Sequence, residues 1–215
     1  MKNPDLQKKG TEIPKAVFDL IYRVQIKRIA LGYTQQDIDF FLGFGKHYWR
    51  SIEHIKEYKQ LTISDLLCLA DAFKCSPDDF AYPIENQSLE DKIIVKVIQI
   101  TGRKYVTRKA YQIHHRQSVL LYQLFENNPQ IYIETHHQAL SDAQHIIGSL
   151  YHNGFFDMPK DTVEIFHACN EQSDDHILPR FIEQALQPYL KTKNLIKPKG
   201  MGRHDQLAAT YRPDL

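Results

Sequence analysis

Residues 33–53 read Tyr-Thr-Gln-Gln-Asp-Ile-Asp-Phe-Phe-Leu-Gly-Phe-Gly-Lys-His-Tyr-Trp-Arg-Ser-Ile-Glu, and the glycines in the middle decide how the stretch folds. Thr34 is placed to cap a helix running through Gln35-Gln36-Asp37-Ile38, with Asp37 at its third position. Gly43-Phe44-Gly45 then interrupts the helical pattern, and Lys46 to His54 resumes it. Gly43 stands where the chain must reverse, which asks for a positive φ that glycine adopts without strain. Ile38, Leu42, Phe44 and Ile52 would seal the angle between the two helices. Lys46, His47, Arg50 and Ser51 would project from the exposed face of the second.

Outward from this stretch the helical pattern continues on both sides. Residues 1–13 are polar and expected to be frayed. Pro14, a good first-turn residue, opens a helix whose apolar positions are Val17, Leu20, Ile21, Val24 and Leu31. Gly32 ends it as a left-handed cap. Downstream, Leu61 to Phe73 is apolar at helical spacing, and Ser76-Pro77-Asp78-Asp79 reads as cap, proline and acidic first turn of a short final helix. Five short helices over 14–82 make a compact helical domain, and Pro83-Ile-Glu-Asn-Gln-Ser88 is the expected boundary, with a linker over 83–90.

The 33–53 stretch resembles the Xre/Cro-like helix-turn-helix, whose usual form is L-T-Q-x-x-L-A, then L-G-hydrophobic-S, then a recognition helix ending in I-E. Thr34-Gln35, Ile38, Leu42-Gly43, Phe44, Ile52 and Glu53 fall on the matching positions, and Leu66-Leu67-x-Leu69-Ala70 and Cys75 to Phe80 are similar to the family's fourth and fifth helices. The resemblance covers about residues 14–82. It implies a DNA-binding regulator that reads the major groove with helix 46–54. By the same resemblance, Gln35 would contact a phosphate or brace the recognition helix, and Lys46 and His47 would read bases. Tyr48 would belong to the same surface, Arg50 would meet a guanine edge or a phosphate, Ser51 a base or sugar, and His54 the DNA backbone. The stretch departs from the pattern in three places. Asp39 stands where a small alanine is usual, Trp49 replaces a β-branched residue, and no glycine follows the recognition helix.

Residues 91–215 are expected to form an α+β domain. Ile93 to Ile100 is rich in β-branched residues and could pair with Tyr105–Thr107 across Thr101-Gly102-Arg103-Lys104; a helix starting near Leu89 is the alternative. Ala110 to Phe125 reads as a helix, and 91–130 is the candidate region for self-association as a homodimer. Three helices then follow, over Asp142–Tyr151 with Ser141 as cap, Pro159–Ala168 and Pro179–Leu190, with strands at Leu195-Ile196-Lys197 and Leu207–Tyr211. The order over 140–212 resembles a winged helix. Lys191, Lys193, Lys197, Lys199, Arg203 and Arg212 cluster around its glycine-bearing turn, and Arg180, Gln184 and Gln187 lie on the preceding helix. Together they form a candidate second nucleic-acid surface; the alternative is a solvated hairpin whose lysines discourage edge pairing.

Composition adds limits. The 215 residues carry 27 basic and 26 acidic side chains, so any nucleic-acid surface must be local. Three cysteines without a C-x-x-C spacing fit reduced thiols in a cytoplasmic protein, and the first residues lack the apolar run of a secretory signal. No apolar stretch approaches the ~20 residues of a membrane span. Walker, G-x-G-x-x-G and G-x-S-x-G motifs are absent, so no enzyme and no cofactor are expected. The histidines at 114–115, 136–137, 145, 152 and 167 form no recognised ligand spacing, so no metal site is assigned. The fold expected is therefore mainly α, a five-helix domain followed by an α+β domain. Two other functions stay open: a protein-interaction module, antitoxin-like or adaptor, and a metal- or ligand-responsive regulator with its sensor in 90–170.

Overall fold

A computed structural model describes residues 10–55, 61–80, 91–114, 117–128, 137–196 and, by backbone alone, 206–209. The chain is mixed α+β, with seven α-helices among the described residues. It opens with a short strand, β1 (Thr11–Pro14), followed by helices α1 (Lys15–Ala30), α2 (Gln35–Phe41), α3 (Tyr48–Glu53) and α4 (Ile63–Ala72) and a 3₁₀ turn at Pro77–Asp79. Three long strands come next, β2 (Lys92–Thr101), β3 (Tyr105–His114) and β4 (Gln117–Asn127). The last third comprises α5 (His137–His152), β5 (Lys160–Asp161), α6 (Thr162–Glu171), α7 (Pro179–Lys191), β6 (Leu195–Ile196) and β7 (Gln206–Ala209).

Local chemistry accounts for the helix ends. Thr34 accepts from the Asp37 amide while the Asp37 carboxylate accepts from the Thr34 amide, a reciprocal cap that Thr62 and Asp65 repeat at α4. Gly32 and Gly43 take φ of 72° and 65°, as the two chain reversals require. At the third helix the chain differs from expectation. Helix α3 begins only at Tyr48, so Lys46 and His47 lie in the turn before it, and His47 itself is left-handed with φ 74°.

The largest departure is at 110–125, where a strand pair replaces the expected helix. β1, β2, β3 and β4 form an antiparallel sheet in that order. Alternate residues of β3 (Val106, Arg108, Ala110) and of β4 (Tyr122, Glu126) point inward. A bulge between Ala110 and Tyr111 shifts the register there, and Val119, Leu120 and Leu121 are exposed in succession. That apolar run broke the alternation that would have marked a strand. The N-terminal expectation is corrected too, because Thr11–Pro14 pairs with β2 through Ile13↔Ile93 and its neighbours, and Ile13 is buried. Ser141 is not a cap, since α5 has already begun at His137. Nor does Pro159 open the next helix: Asp161 caps it, accepting from Glu164.

The buried side chains form one cluster that runs through both halves of the chain. Tyr122 of β4 stacks on Phe18 and Tyr22, fastening the sheet to α1. Phe41 at the end of α2 meets Phe166 of α6 at 5.0 Å between ring centroids, and its carbonyl accepts from Thr162. The Asp37 carboxylate accepts from the Arg180 amide at 2.8 Å and its guanidinium at 2.7 Å, joining α2 to the first turn of α7. The expected linker over 83–90 lies outside the described residues.

Candidate functional site

Helix α3 is anchored at both ends by carboxylates that neither face solvent. At its start, Asp39 of α2 accepts from the amides of His47 (2.8 Å) and Trp49 (2.6 Å). The aspartate that stands where alanine was expected therefore caps the next helix, and the left-handed turn at His47 delivers both amides to it. Burial pushes the Asp39 carboxyl up to about 6, against the lowering effect of these hydrogen bonds and of His47; Glu183 adds to the rise.

At the other end Glu53 is wholly buried and accepts from five groups. These are Arg28 Nε (2.8 Å) and Nη2 (3.0 Å), Trp49 Nε1 (2.7 Å), Gln35 Nε2 (2.5 Å) and Gln25 Nε2 (3.3 Å). Arg28 also donates to Glu126 of β4, which pairs in turn with Arg108 of β3. Two guanidinium groups and two carboxylates thus make a buried, charge-balanced network joining α1, α3 and the sheet. Burial opposes the charge on Arg28, yet Glu53 and Glu126 outweigh it and hold its pKa above the ordinary value. Burial would likewise raise Glu126, but the two arginines hold it below the usual carboxylate range. Trp49 fills the space under α3 with no exposed surface, which accounts for the departure at that position.

Between these anchors α3 borders a cleft of about 630 Å³. One wall carries Gln35, Lys46, His47 and Arg50; the others carry Gln99, Thr101 and Arg108 of the sheet, His137 and Leu140 of α5, and Arg180 and Gln184 of α7. Lys46, His47 and Arg50 are exposed, and among the described residues neither Lys46 nor Arg50 joins an ion pair. Residues expected on two separate surfaces therefore share one concavity.

Other expected contacts are taken up inside the molecule. Gln35 braces α3 through Glu53. Ser51 donates to the Tyr48 carbonyl at 2.7 Å, and Tyr48 packs on Phe44 with ring centroids 3.9 Å apart. His54 sits 2.8 Å from Gln99 Oε1, and burial lowers its pKa. Arg180 is held on Asp37, whose carboxyl burial pushes up despite that cation. Gln184, Gln187, Lys191 and Lys193 are exposed along α7 and just past its end, whereas Lys197, Lys199, Arg203 and Arg212 lie outside the described residues. Sequence reasoning missed Gln99, Thr101 and Arg108, which fall in or beside the expected hairpin 93–107 and come onto one face only through the register that sets Gln99 opposite Arg108.

Among the described residues no group of three His, Cys, Asp or Glu side chains is arranged to hold a metal ion, and no helix is long and apolar enough to cross a membrane. Comparison of the chain with protein-family models, curated proteins and solved structures returns no match.

Proposed function

We propose that this protein is a sequence-specific DNA-binding regulator of the helix-turn-helix type, with duplex lying across the mouth of the cleft and α3 directed into the major groove. The observation that carries the reading is the shared concavity: Lys46, His47 and Arg50 beside α3 face the same opening as Gln184 on α7. Phosphates would be met by Lys46 and Arg50, whose charges no neighbouring carboxylate neutralises among the described residues. His47 and Gln184 supply side-chain donors and acceptors for base edges. The last third supports the same reading. Its order α5-β5-α6-α7-β6-β7, with strands arranged β5-β7-β6, resembles that of a winged helix, in which α7 would take the place of the groove-reading helix. Charged rather than apolar exposure around α3 favours a polyanion over a protein-binding core.

Selection of bound duplexes from a random pool, followed by titration across salt, tests the reading. Affinity for the selected site falls steeply with salt, and Lys46→Ala with Arg50→Ala weakens it at least tenfold while reducing the salt slope. Duplex binding that is absent at low salt refutes it. A second reading is favoured by the concavity itself: Gln99, Thr101, Arg108 and His137 could hold a small anionic effector against Arg50. Quenching of Trp49, the single tryptophan, by such a ligand would separate the two.

A further inference from the structure

Helix α1 covers the inner face of the sheet around Tyr122, but farther along that face Gln99, Thr101 and Arg108 line the cleft instead. Arg108 is only 4 % exposed, too deep for a duplex lying across the mouth. Its Nη1 donates to Glu126, while Nε and Nη2 meet no acceptor at hydrogen-bond distance among the described residues; Glu53 Oε2 stands 3.8 Å from Nε. Buried donors are nearly always paired, so a guanidinium with unspent donors on a cleft wall calls for an acceptor from outside the chain. On the facing wall Arg50 is exposed and joins no ion pair among the described residues. The two arginines are linked through a short relay. His54, one turn after Arg50, lies 2.8 Å from Gln99 Oε1, and Gln99 sits opposite Arg108 across the strands. Burial holds His54 below its ordinary pKa, and the charges of Arg108 and Arg50 act in the same direction.

We propose that the floor of the cleft, between Arg108 and Arg50, binds a phosphate monoester of a small polar molecule, and that this ligand and duplex DNA exclude one another. Three properties select the class. Donors converge from opposite walls, Arg108 from the sheet and Arg50 with Lys46 from the α3 side, which suits a tetrahedral group with three outward oxygens. A planar carboxylate is satisfied by a single guanidinium fork. Lys46 and Arg50 have no carboxylate partner among the described residues, so their charges match a dianion. The cleft, about 630 Å³, has the size of a small-molecule pocket and leaves room for more than inorganic phosphate. Gln99 donates to Thr101 Oγ1 at 3.4 Å, and the Thr101 hydroxyl is exposed to a ligand's polar body. A ligand that draws Arg50 inward withdraws it from DNA phosphates, so each partner weakens the other by the same factor. That antagonism rests on the DNA-binding reading; the site itself does not.

The test titrates the full chain, without DNA, with ribose 5-phosphate and glycerol 3-phosphate, and with inorganic phosphate, citrate and ribose as controls. Calorimetry should show at least one ester bound at a single site, at least about tenfold tighter than inorganic phosphate or citrate, and no binding of ribose. The same ester should shift the imidazole resonances of His54, which lies beside both arginines. Arg108→Lys keeps a cation opposite Glu126 but loses the forked donors, and should weaken the ester at least about tenfold. Thr101→Val changes an exposed side chain, should weaken the ester about threefold, and decides alone if Arg108→Lys does not fold. No ester binding below about 10 mM, citrate binding as tightly as the esters, or affinity indifferent to these substitutions would overturn the proposal. Selected duplex is then titrated with the ester at saturation, where its affinity should fall about tenfold and its salt slope by about 1. Duplex affinity that the ester leaves unchanged overturns the mutual exclusion. Ester binding without any duplex binding supports the site and refutes the DNA-binding reading alone; duplex binding without ester binding refutes the site alone.

Discussion

Replacing Glu53 by glutamine removes one charge from the buried network with almost no change of shape. In the native chain the Glu53 and Glu126 carboxylates balance the Arg28 and Arg108 guanidinium groups, and Arg28 and Glu53 have no exposed side-chain surface. Glutamine leaves two buried cations facing one carboxylate, and its amide presents hydrogens toward Gln35, Trp49 or Arg28, all of them donors. Breaking a buried pair by removing one partner costs about 3–5 kcal/mol. At about 2–4 °C per kcal/mol for a chain of this size, the thermal midpoint should fall by roughly 6–20 °C. The assay is thermal and urea denaturation at neutral pH, with the urea slope checked to confirm that the unfolding transition is the same one. Adding Arg108→Met to Glu53→Gln restores one cation to one carboxylate and should recover at least about 1 kcal/mol, an interaction energy that a double-mutant cycle reads directly. A loss below about 1 kcal/mol in the single variant, or strict additivity in the pair, would refute the view that charge balance holds α3 to α1 and the sheet.

Other consequences follow from individual contacts. Asp39 has a folded pKa of about 6 against an ordinary 3.8, so its contribution to stability is present below the ordinary value and is lost as pH rises through about 6. Asp39→Asn should flatten the stability–pH curve over that window, as urea midpoints at several pH values would show. Glu126 has the opposite sign: its depressed pKa gives stability that is present above the ordinary 4.5 and lost on acidification, and Glu126→Gln should remove that acid-sensitive part. Arg180→Met leaves Asp37 buried without its cation and should cost about 2–3 kcal/mol in denaturation while changing duplex affinity less than Lys46→Ala does. Lys74 is exposed and ends α4 in a left-handed conformation at φ 51°, so Lys74→Gly should stabilise the chain by about 1 kcal/mol, measurable as a higher thermal midpoint.

Much of the first eighty residues was legible because their determinants are local. Thr34 with Asp37, Gly32 and Gly43 specify caps and reversals from a few adjacent side chains, and the structure places each of them as the spacing predicted. The same holds for Pro179 at the start of α7 and for the strand at Leu195–Ile196. What could not be read locally was everything that depends on a distant partner. Whether Val119 to Phe125 forms a helix or a strand was decided by β3 lying alongside and by the bulge that shifts its register. The strand at Thr11–Pro14 exists because β2, some eighty residues later, supplies its hydrogen bonds. Nor does the sequence around Glu53 reveal that Arg28, Arg108 and Glu126 converge on it, because a buried charge is tolerated only when groups from several elements meet there. Helix ends and turns answer to neighbours along the chain; the strand register, the ion network and the meeting of Lys46 and Arg50 with Arg180 and Gln184 around one cleft answer to neighbours in space.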